Sequence, residues 1–208
     1  MPDFKAAWIQ KAQIDYFSPF ISLWLACNSW YRSHYSDLGN NPEREAMDRE
    51  YINKIKTDFT GRNHLYKEFV KIIKSENNKK TLGFKTNLEM LYFSLNRAEL
   101  KPDKLIYNCS FEKMLIDFSK KENQEAYINI LATPRINQNG TVHSDEIDYV
   151  IKLDTKYIIN NTEKVFAGLF ELIYQIRNMV IHGNVKPEKD EHEVIKYCYL
   201  ILSDLMGI

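Results

Sequence analysis

The fold is indicated first by residues 162–183, which read TEKVFAGLFELIYQIRNMVIHG. Apolar residues recur in this stretch at helical spacing, and on a helical wheel six of them fall within an arc of about 100°. These six are Val165, Leu169, Leu172, Ile173, Ile176 and Val180. Asn161 and Thr162 offer a cap at the start, and Gly183 can adopt the left-handed conformation that often ends a helix. The stretch therefore predicts one long helix with a buried face.

The rest of the 208-residue chain predicts further helices. One helix, with Ser18 as its N-cap and Pro19 in its first turn, should run to about Ser36. Other apolar series predict helices at 43–59, 65–73, from 88 to before Pro102, after Ser110 and at 122–131. A last helix opens at 188–193, with acidic residues in its first turns. Because only 7 Gly and 6 Pro interrupt the chain, these elements predict an all-α fold, an antiparallel helical bundle.

Two segments depart from the helical pattern. Residues 135–143 contain Asn139-Gly140 between short β-compatible pieces, which predicts a small β-hairpin. Residues 147–159 fit a strand and a helix equally well, so their conformation stays open.

Composition limits the classes of function. Hydrophobic residues are 44% and charged residues 27% of the chain, which is typical of a globular protein. The 28 Lys and Arg are balanced by 28 Asp and Glu, so a nucleic acid has to be held by local charge. Cys27, Cys109 and Cys198 form no C-x-x-C pair, which favours reduced thiols over a disulfide or a zinc site. The densest apolar stretch, residues 17–27, is too short to span a bilayer, so we expect a cytoplasmic protein without a membrane partner.

Two charged side chains near the end of the long helix have unusual positions. Arg177 falls near ~120° on the wheel, between Phe166 and Phe170, where a charge is costly to bury unless it is paired. His182 lies in the polar sector. That sector also holds Glu171, Tyr174, Gln175 and Asn178. Because Arg177 and His182 are ~140° apart on a straight helix, either fraying near Gly183 or a second copy of the chain has to bring them together.

An imidazole and a guanidinium in one site are the groups that metal-free phosphoryl transfer requires. The imidazole can take a proton from a ribose 2′-hydroxyl near neutral pH, and the guanidinium stabilises the charge of the transition state. Asn178 lies one turn before His182, so its amide is placed to orient the ring. The sequence therefore predicts a candidate site of Arg177, Asn178 and His182, with no metal and no cofactor.

Residues 171–183 resemble the R-x4-6-H signature of HEPN domains, in the form in which Asn178 follows Arg177 and Gly183 follows His182. The first predicted helix is also similar to the first helix of some HEPN subfamilies. The residues that carry this second likeness are Trp24, Asn28, Trp30 and Tyr31. The resemblance covers about residues 145–206 well and 8–36 more weakly, and it does not extend to the middle of the chain.

The resemblance implies a single HEPN-like helical domain over residues 1–208, with a subfamily-specific insertion at about 75–145. It also implies a homodimer that acts as a metal-independent endoribonuclease of a toxin, defence or RNA-processing system. By this resemblance Arg177 and His182 are catalytic and Asn178 is auxiliary. The partners it implies are an RNA substrate and an antitoxin or regulatory protein. The expected products carry a 2′,3′-cyclic phosphate and a 5′-hydroxyl.

Two other interpretations of the same residues stay open. Some HEPN proteins do not cleave RNA, and the balanced charge favours a non-catalytic dimerisation or nucleotide-binding module. In a simpler structural interpretation, Arg177 and His182 only complement the negative end of the helix dipole.

The remaining polar features have simple structural explanations. His192 among acidic neighbours indicates helix-terminal electrostatics more than a metal site. The other features are the surface residues His143-Ser144-Asp145, the solvated lysines Lys67, Lys71, Lys74, Lys79 and Lys80, and the core residues Trp8, Trp24 and Trp30.

Overall fold

The fold is a bundle of helices, as the sequence predicts. The computed structural model describes residues 15–39, 47–74, 79–98, 138, 151–153, 156–158 and 162–208. These ranges contain the helices α1 (Phe17–His34), α2 (Asp48–Thr57), α3 (His64–Lys74), α4 (Lys79–Arg97), α5 (Thr162–Ile181) and α6 (Lys189–Met206). A short 3₁₀ turn, Ser36–Gly39, follows α1.

Helix α6 lies at the centre of the bundle, where it contacts α1, α3, α4 and α5. Its buried residues cover more than one side: Val194, Ile195, Tyr197, Cys198, Ile201, Leu202 and Leu205. The apolar spacing of this segment predicts a buried stripe of five residues, and all five are among them: Val194, Cys198, Ile201, Leu202 and Leu205. Each large side chain buried in this way stabilises the fold by about 1.5–3 kcal/mol relative to an exposed one. Helix α2 packs mainly against α5 and so reaches the core from the other side.

The start of α1 differs from the prediction. Ser18 was expected to be the N-cap, but the helix begins at Phe17. The carboxylate of Asp15 accepts hydrogen bonds from the Phe17 backbone N–H and from the Ser18 hydroxyl, both at 2.9 Å. These two bonds lower the pKa of Asp15. The N-cap position is Tyr16, and the side chain that bonds the first turn is that of Asp15, one residue upstream. Pro19 keeps its expected place in the first turn.

The connection between α2 and α3 is fixed by a buried amide. Asn63 donates from Nδ2 to the carbonyl oxygens of Ile55 and Asp58, both at 2.9 Å. Its Oδ1 accepts the backbone N–H of Tyr66 at 3.2 Å, which caps the start of α3. Asp58 in turn accepts a hydrogen bond from the Tyr35 hydroxyl at 2.9 Å. These bonds tie α2 to the end of α1 and set the position of the α2 side chains.

Residues 147–159, whose sequence fits a strand and a helix equally well, contain two short antiparallel strands. They are β1 (Ile151–Leu153) and β2 (Lys156–Ile158), with Ile151 opposite Ile158. The hairpin predicted at 135–143, apart from Gln138, and the helices predicted after Ser110 and at 122–131 lie outside the described residues. Helix α4 belongs to the predicted insertion at 75–145, and it packs against α6.

None of the helices in the described ranges combines the length and apolarity that crossing a bilayer requires.

Candidate functional site

The end of α5 is an intact helix terminus. The His182 backbone N–H donates to the Asn178 carbonyl at 3.0 Å, so helical bonding continues to His182. Gly183 has φ +67°, the left-handed conformation that its position predicts. Its N–H bonds to the Val180 carbonyl at 3.1 Å, and the Asn184 N–H bonds to the Met179 carbonyl at 2.8 Å. This pair of bonds is a Schellman motif. Fraying therefore does not turn the imidazole of His182 inward.

Arg177 is largely buried, and an acid, an amide and an aromatic ring of the described residues lie beside its guanidinium. Its side chain is 16% exposed, and one terminal nitrogen lies 3.6 Å from Oδ2 of Asp48. The other terminal nitrogen donates to Oδ1 of Asn178 at 2.8 Å. The guanidinium carbon lies 5.6 Å from the ring centroid of Trp24, within the range of a cation–π interaction. Asp48 and Trp24 thus compensate the charge that the sequence placed in an apolar sector.

Asp48, the first residue of α2, collects hydrogen bonds from α1. Its Oδ1 accepts from Asn28 Nδ2 at 3.4 Å, from the Tyr31 hydroxyl at 3.2 Å and from Arg32 at 3.1 Å. Burial, and then the nearby Asp48 carboxylate, raise the pKa of Tyr31. We call this group of side chains the Asp48 cluster. Its members are Asn28, Tyr31, Arg32, Asp48, Arg177 and Asn178.

The sequence interpretation missed the role of Asp48 in this cluster. An acidic residue in the first turn of a helix is expected from the dipole alone, so no pattern singled it out. The only local signal was an unpaired cation in an apolar sector, which requires an anion from somewhere else in the chain.

Two donors in this region are buried without an acceptor. Among the described residues, nothing accepts a hydrogen bond from Arg177 Nε or from Trp24 Nε1. A buried donor left without a partner costs about 1–3 kcal/mol.

A second polar group lies further back along α5, where Glu171 is only 5% exposed. Its carboxylate pairs with Arg49 at 2.7 Å and with Lys56 of α2, and it accepts from Gln175 at 2.9 Å. Burial by itself raises the pKa of Glu171, but Lys56, Gln175 and Arg49 outweigh it and leave the pKa lowered. We call these four side chains the Glu171 cluster. Around Glu171, the polar sector of α5 is therefore covered by α2.

The predicted site residues are only partly brought together. Arg177 and Asn178 are hydrogen-bonded to each other. His182 is exposed, and in the described ranges its ring makes no hydrogen bond, ion pair or ring contact. The amide oxygen of Asn178 is bonded to Arg177, and no bond joins it to the imidazole. Within one chain, Arg177 faces inward and His182 faces solvent.

Other residues singled out from the sequence have structural surroundings. His192 accepts the Tyr16 backbone N–H at 3.3 Å and so supports the start of α1. No group of three His, Cys, Asp or Glu residues suited to a metal occurs in the part of the chain that the structure describes. Lys71 pairs with Glu68 at 3.2 Å, and Lys67, Lys79 and Lys80 are exposed.

The predicted tryptophans and cysteines are core residues where they are described. Trp24 is fully buried, and Trp30 is half-buried and stacks on His34 with 5.3 Å between ring centroids. Cys27 and Cys198 are buried free thiols, and burial raises the pKa of Cys27 to about 12. Five other residues singled out from the sequence lie outside the described ranges: Trp8, Cys109, His143, Ser144 and Asp145.

No protein-family model matches the chain, and neither a curated protein nor a solved structure does. The resemblance of residues 171–183 to the HEPN signature therefore rests on those residues alone.

Proposed function

We propose that this protein is a metal-independent endoribonuclease of HEPN type, which works in the cytoplasm as a homodimer. Its substrate is RNA, and its biological class is a toxin, a defence protein or an RNA-processing enzyme that an antitoxin or regulatory protein can restrain. The observation that supports the proposal is the arrangement at the end of α5. A shielded Arg177 with an unused Nε–H donor and a solvent-accessible His182 lie on the same helix end.

His182 carries the proton transfers in this proposal. Its unprotonated ring nitrogen takes the proton of a ribose 2′-hydroxyl, and the 2′-oxygen attacks the neighbouring phosphorus. The bond from phosphorus to the 5′-oxygen then breaks, and the imidazolium returns a proton to the leaving oxygen. The products are a 2′,3′-cyclic phosphate and a 5′-hydroxyl. Arg177 binds the phosphate and stabilises the charge of the transition state, so that no metal is needed.

The homodimer completes the site. Because Arg177 faces inward and His182 faces solvent in one chain, the two groups need a second copy to share one phosphate. A two-fold symmetric arrangement places His182 of one protomer beside Arg177 of its partner and forms two equivalent sites.

Cleavage of mixed RNA by purified protein in chelator tests the mechanism. We expect cleavage by the wild type, with cyclic phosphate ends, and a loss of about 10²–10⁴-fold in His182→Ala. His64→Ala is the matched control, because His64 is also exposed but lies at the start of α3. Equal cleavage by His182→Ala and the wild type would contradict the proposed role of His182 in proton transfer.

A second candidate function is a non-catalytic helical module that dimerises or binds a nucleotide. It is favoured by the internal bonds of Arg177, which already has Asp48 and Asn178 as partners. This candidate predicts no RNA turnover and a weaker dimer in Arg177→Ala, measured on a sizing column. If Arg177→Ala still dimerises at low concentration, the non-catalytic candidate loses its support.

A further inference from the structure

A cavity on the outer side of α1 is lined by an aromatic pair and two hydroxyls. Its volume is about 440 Å³, and its lining residues follow one side of the helix: Ala26, Ser29, Trp30, Ser33 and His34. We infer that this cavity is a subsite for one unpaired base of single-stranded RNA, which stacks on Trp30 and His34. The identity of the ligand as RNA rests on the proposed function, whereas the recognition of a flat ring rests on the cavity itself.

The two rings form a flat surface. Trp30 and His34 are parallel within 15°, with 5.3 Å between their ring centroids. Trp30 is half-buried against the core, and His34 is exposed to solvent. Aromatic side chains, tryptophan and histidine included, are the groups on which the unpaired bases of single-stranded RNA stack. A base that enters the cavity therefore meets two rings that are already aligned, and it can extend their stack.

A buried tyrosine holds this pair of rings in place. The ring of Tyr35 stands nearly perpendicular to both, with its centroid 4.6 Å from that of His34 and 6.2 Å from that of Trp30. Tyr35 is only 5% exposed, and its hydroxyl donates to Asp58 at 2.9 Å. Because the rings are fixed before a ligand arrives, little side-chain entropy is lost on binding.

Two hydroxyls beside the rings can bond the polar edge of a base. Ser29 and Ser33 are exposed and one turn apart, and within the described ranges neither hydroxyl makes a hydrogen bond. A hydroxyl both donates and accepts, so it suits donor and acceptor positions alike. We therefore expect the subsite to accept different bases.

The cavity is separate from the Asp48 cluster. Trp30 and Arg32 are two residues apart, so they point in directions about 160° apart around α1. None of the five lining residues is Lys, Arg, Asp or Glu. The cavity is therefore suited to a base and not to a phosphate, and its base belongs to a nucleotide other than the one that Arg177 contacts in the proposed mechanism. Its contribution is to the affinity for RNA.

The test measures binding of a fluorescent single-stranded RNA in chelator, with every variant made in His182→Ala so that the RNA stays intact. Trp30→Leu should bind this RNA about 10-fold more weakly, a loss typical of one stacked base. Because stacking releases no counterions, the slope of log K against log salt should stay that of the parent. Phe59→Leu is the matched control and should bind as its parent does, since Phe59 is a half-buried ring that contacts Tyr66 outside the cavity.

Duplex RNA and a conservative variant separate stacking from a general loss of structure. The bases of a duplex are already paired and stacked, so Trp30→Leu should not change the affinity for duplex RNA of the same sequence. Trp30→Phe keeps an aromatic ring and should retain most of the binding of single-stranded RNA.

Two outcomes overturn the inference: single-stranded binding by Trp30→Leu that equals that of its parent, or equal losses for single-stranded and duplex RNA. If Trp30→Leu does not fold, as shown by its thermal transition, His34→Ala decides, with an expected loss of about 3-fold. A Trp30→Leu chain that loses its dimer on a sizing column, with RNA binding unchanged, would assign the cavity to an interface between copies of the chain and would also overturn the inference.

Failure of this inference and failure of the proposed nuclease can be told apart. Weaker binding of single-stranded RNA by Trp30→Leu, without cleavage by the wild-type chain, refutes the nuclease and leaves the inference standing. Cleavage by the wild type, with unchanged binding in Trp30→Leu, does the reverse.

Discussion

The two polar clusters on α5 each set two cations on one carboxylate, but they differ in how deeply that carboxylate is buried. In the Glu171 cluster one deeply buried carboxylate has two cations and an amide as partners, so the carboxylate is fully satisfied. In the Asp48 cluster two guanidiniums share one carboxylate nearer the surface, and a buried guanidinium N–H is left without an acceptor among the described residues. The first arrangement locks α2 onto α5. The second joins α1, α2 and α5 at a carboxylate nearer the surface.

The largest expected effect concerns the division of the site between two chains. Arg177→Ala and His182→Ala should each lose about 10²–10⁴-fold in RNA cleavage. A mixture of the two variants, allowed to exchange subunits, should recover about a quarter of wild-type activity, because half of the dimers are mixed and each of these has one intact site.

The control for this experiment is a mixture of Arg177→Ala with the double variant Arg177→Ala/His182→Ala, which should recover nothing. If mixed dimers form and the first mixture also recovers nothing, Arg177 and His182 do not act across two chains.

The Glu171 cluster should respond to substitution with a loss of stability. Glu171→Ala leaves Lys56 and Arg49 without their buried anion, and we expect the free energy of unfolding to fall by about 3 kcal/mol in urea titration. This value is at the lower end for a buried pair, because Arg49 is partly exposed. Glu163→Ala, an exposed position in the first turn of the same helix, should lose less than about 1 kcal/mol. Equal losses in the two variants would contradict the structural role of Glu171.

A smaller effect is expected from acid. The pKa of Glu171 in the folded chain is lowered from its ordinary value of 4.5, so below that value the unfolded chain binds more protons than the folded one. The stability that Glu171 contributes is therefore fully present above pH 4.5 and is lost as the pH falls through the folded-state pKa.

Urea titrations of the wild type and Glu171→Gln at several acidic pH values measure this effect. The difference between their free energies of unfolding should shrink as the pH decreases below 4.5. A difference that stays constant with pH would show that the contribution of Glu171 to the free energy of unfolding does not depend on its charge.

The smallest expected effect is that of Tyr31→Phe, which removes one of the donors to Asp48. We expect a loss of about 1 kcal/mol or less in the free energy of unfolding, because Asn28 and Arg32 continue to donate to the same oxygen. Tyr35→Phe, which removes the donor to Asp58, provides the comparison at a carboxylate outside the cluster. A loss above about 2 kcal/mol in Tyr31→Phe would mean that Asp48 is locked as firmly as Glu171.

The sequence was sufficient to predict the helices with strong apolar spacing and the local chemistry at their ends. It identified α1, α5 and α6, the burial of Trp24 and the left-handed conformation of Gly183. Each of these features depends on residues that are close together in the chain. It did not identify what covers the polar sector of α5. Glu171, Arg49 and Lys56 each have the pattern of a solvent-exposed residue within their own segment, and only their pairing across two helices buries them.

The same limit applies to the candidate site. Arg177 stood out because its own helix gives it an apolar position, whereas Asp48 and Arg32 become relevant only through distances between α1, α2 and α5. The start of α1 shows the same limit on a smaller scale. Ser18 is the expected N-cap, but the first turn is bonded by the carboxylate of Asp15, and apolar spacing does not report a bond of this kind.

The central position of α6 has a consequence for the newly made protein. Residues 189–206 leave the ribosome after the four helices that they join, so the apolar faces of α1, α3, α4 and α5 have no common partner until then. The Arg177 site depends on α1, α2 and α5 being held together, so a nascent chain cannot present it while translation of α6 is unfinished. The Asp48 cluster is therefore complete only after α6 has packed against the other helices.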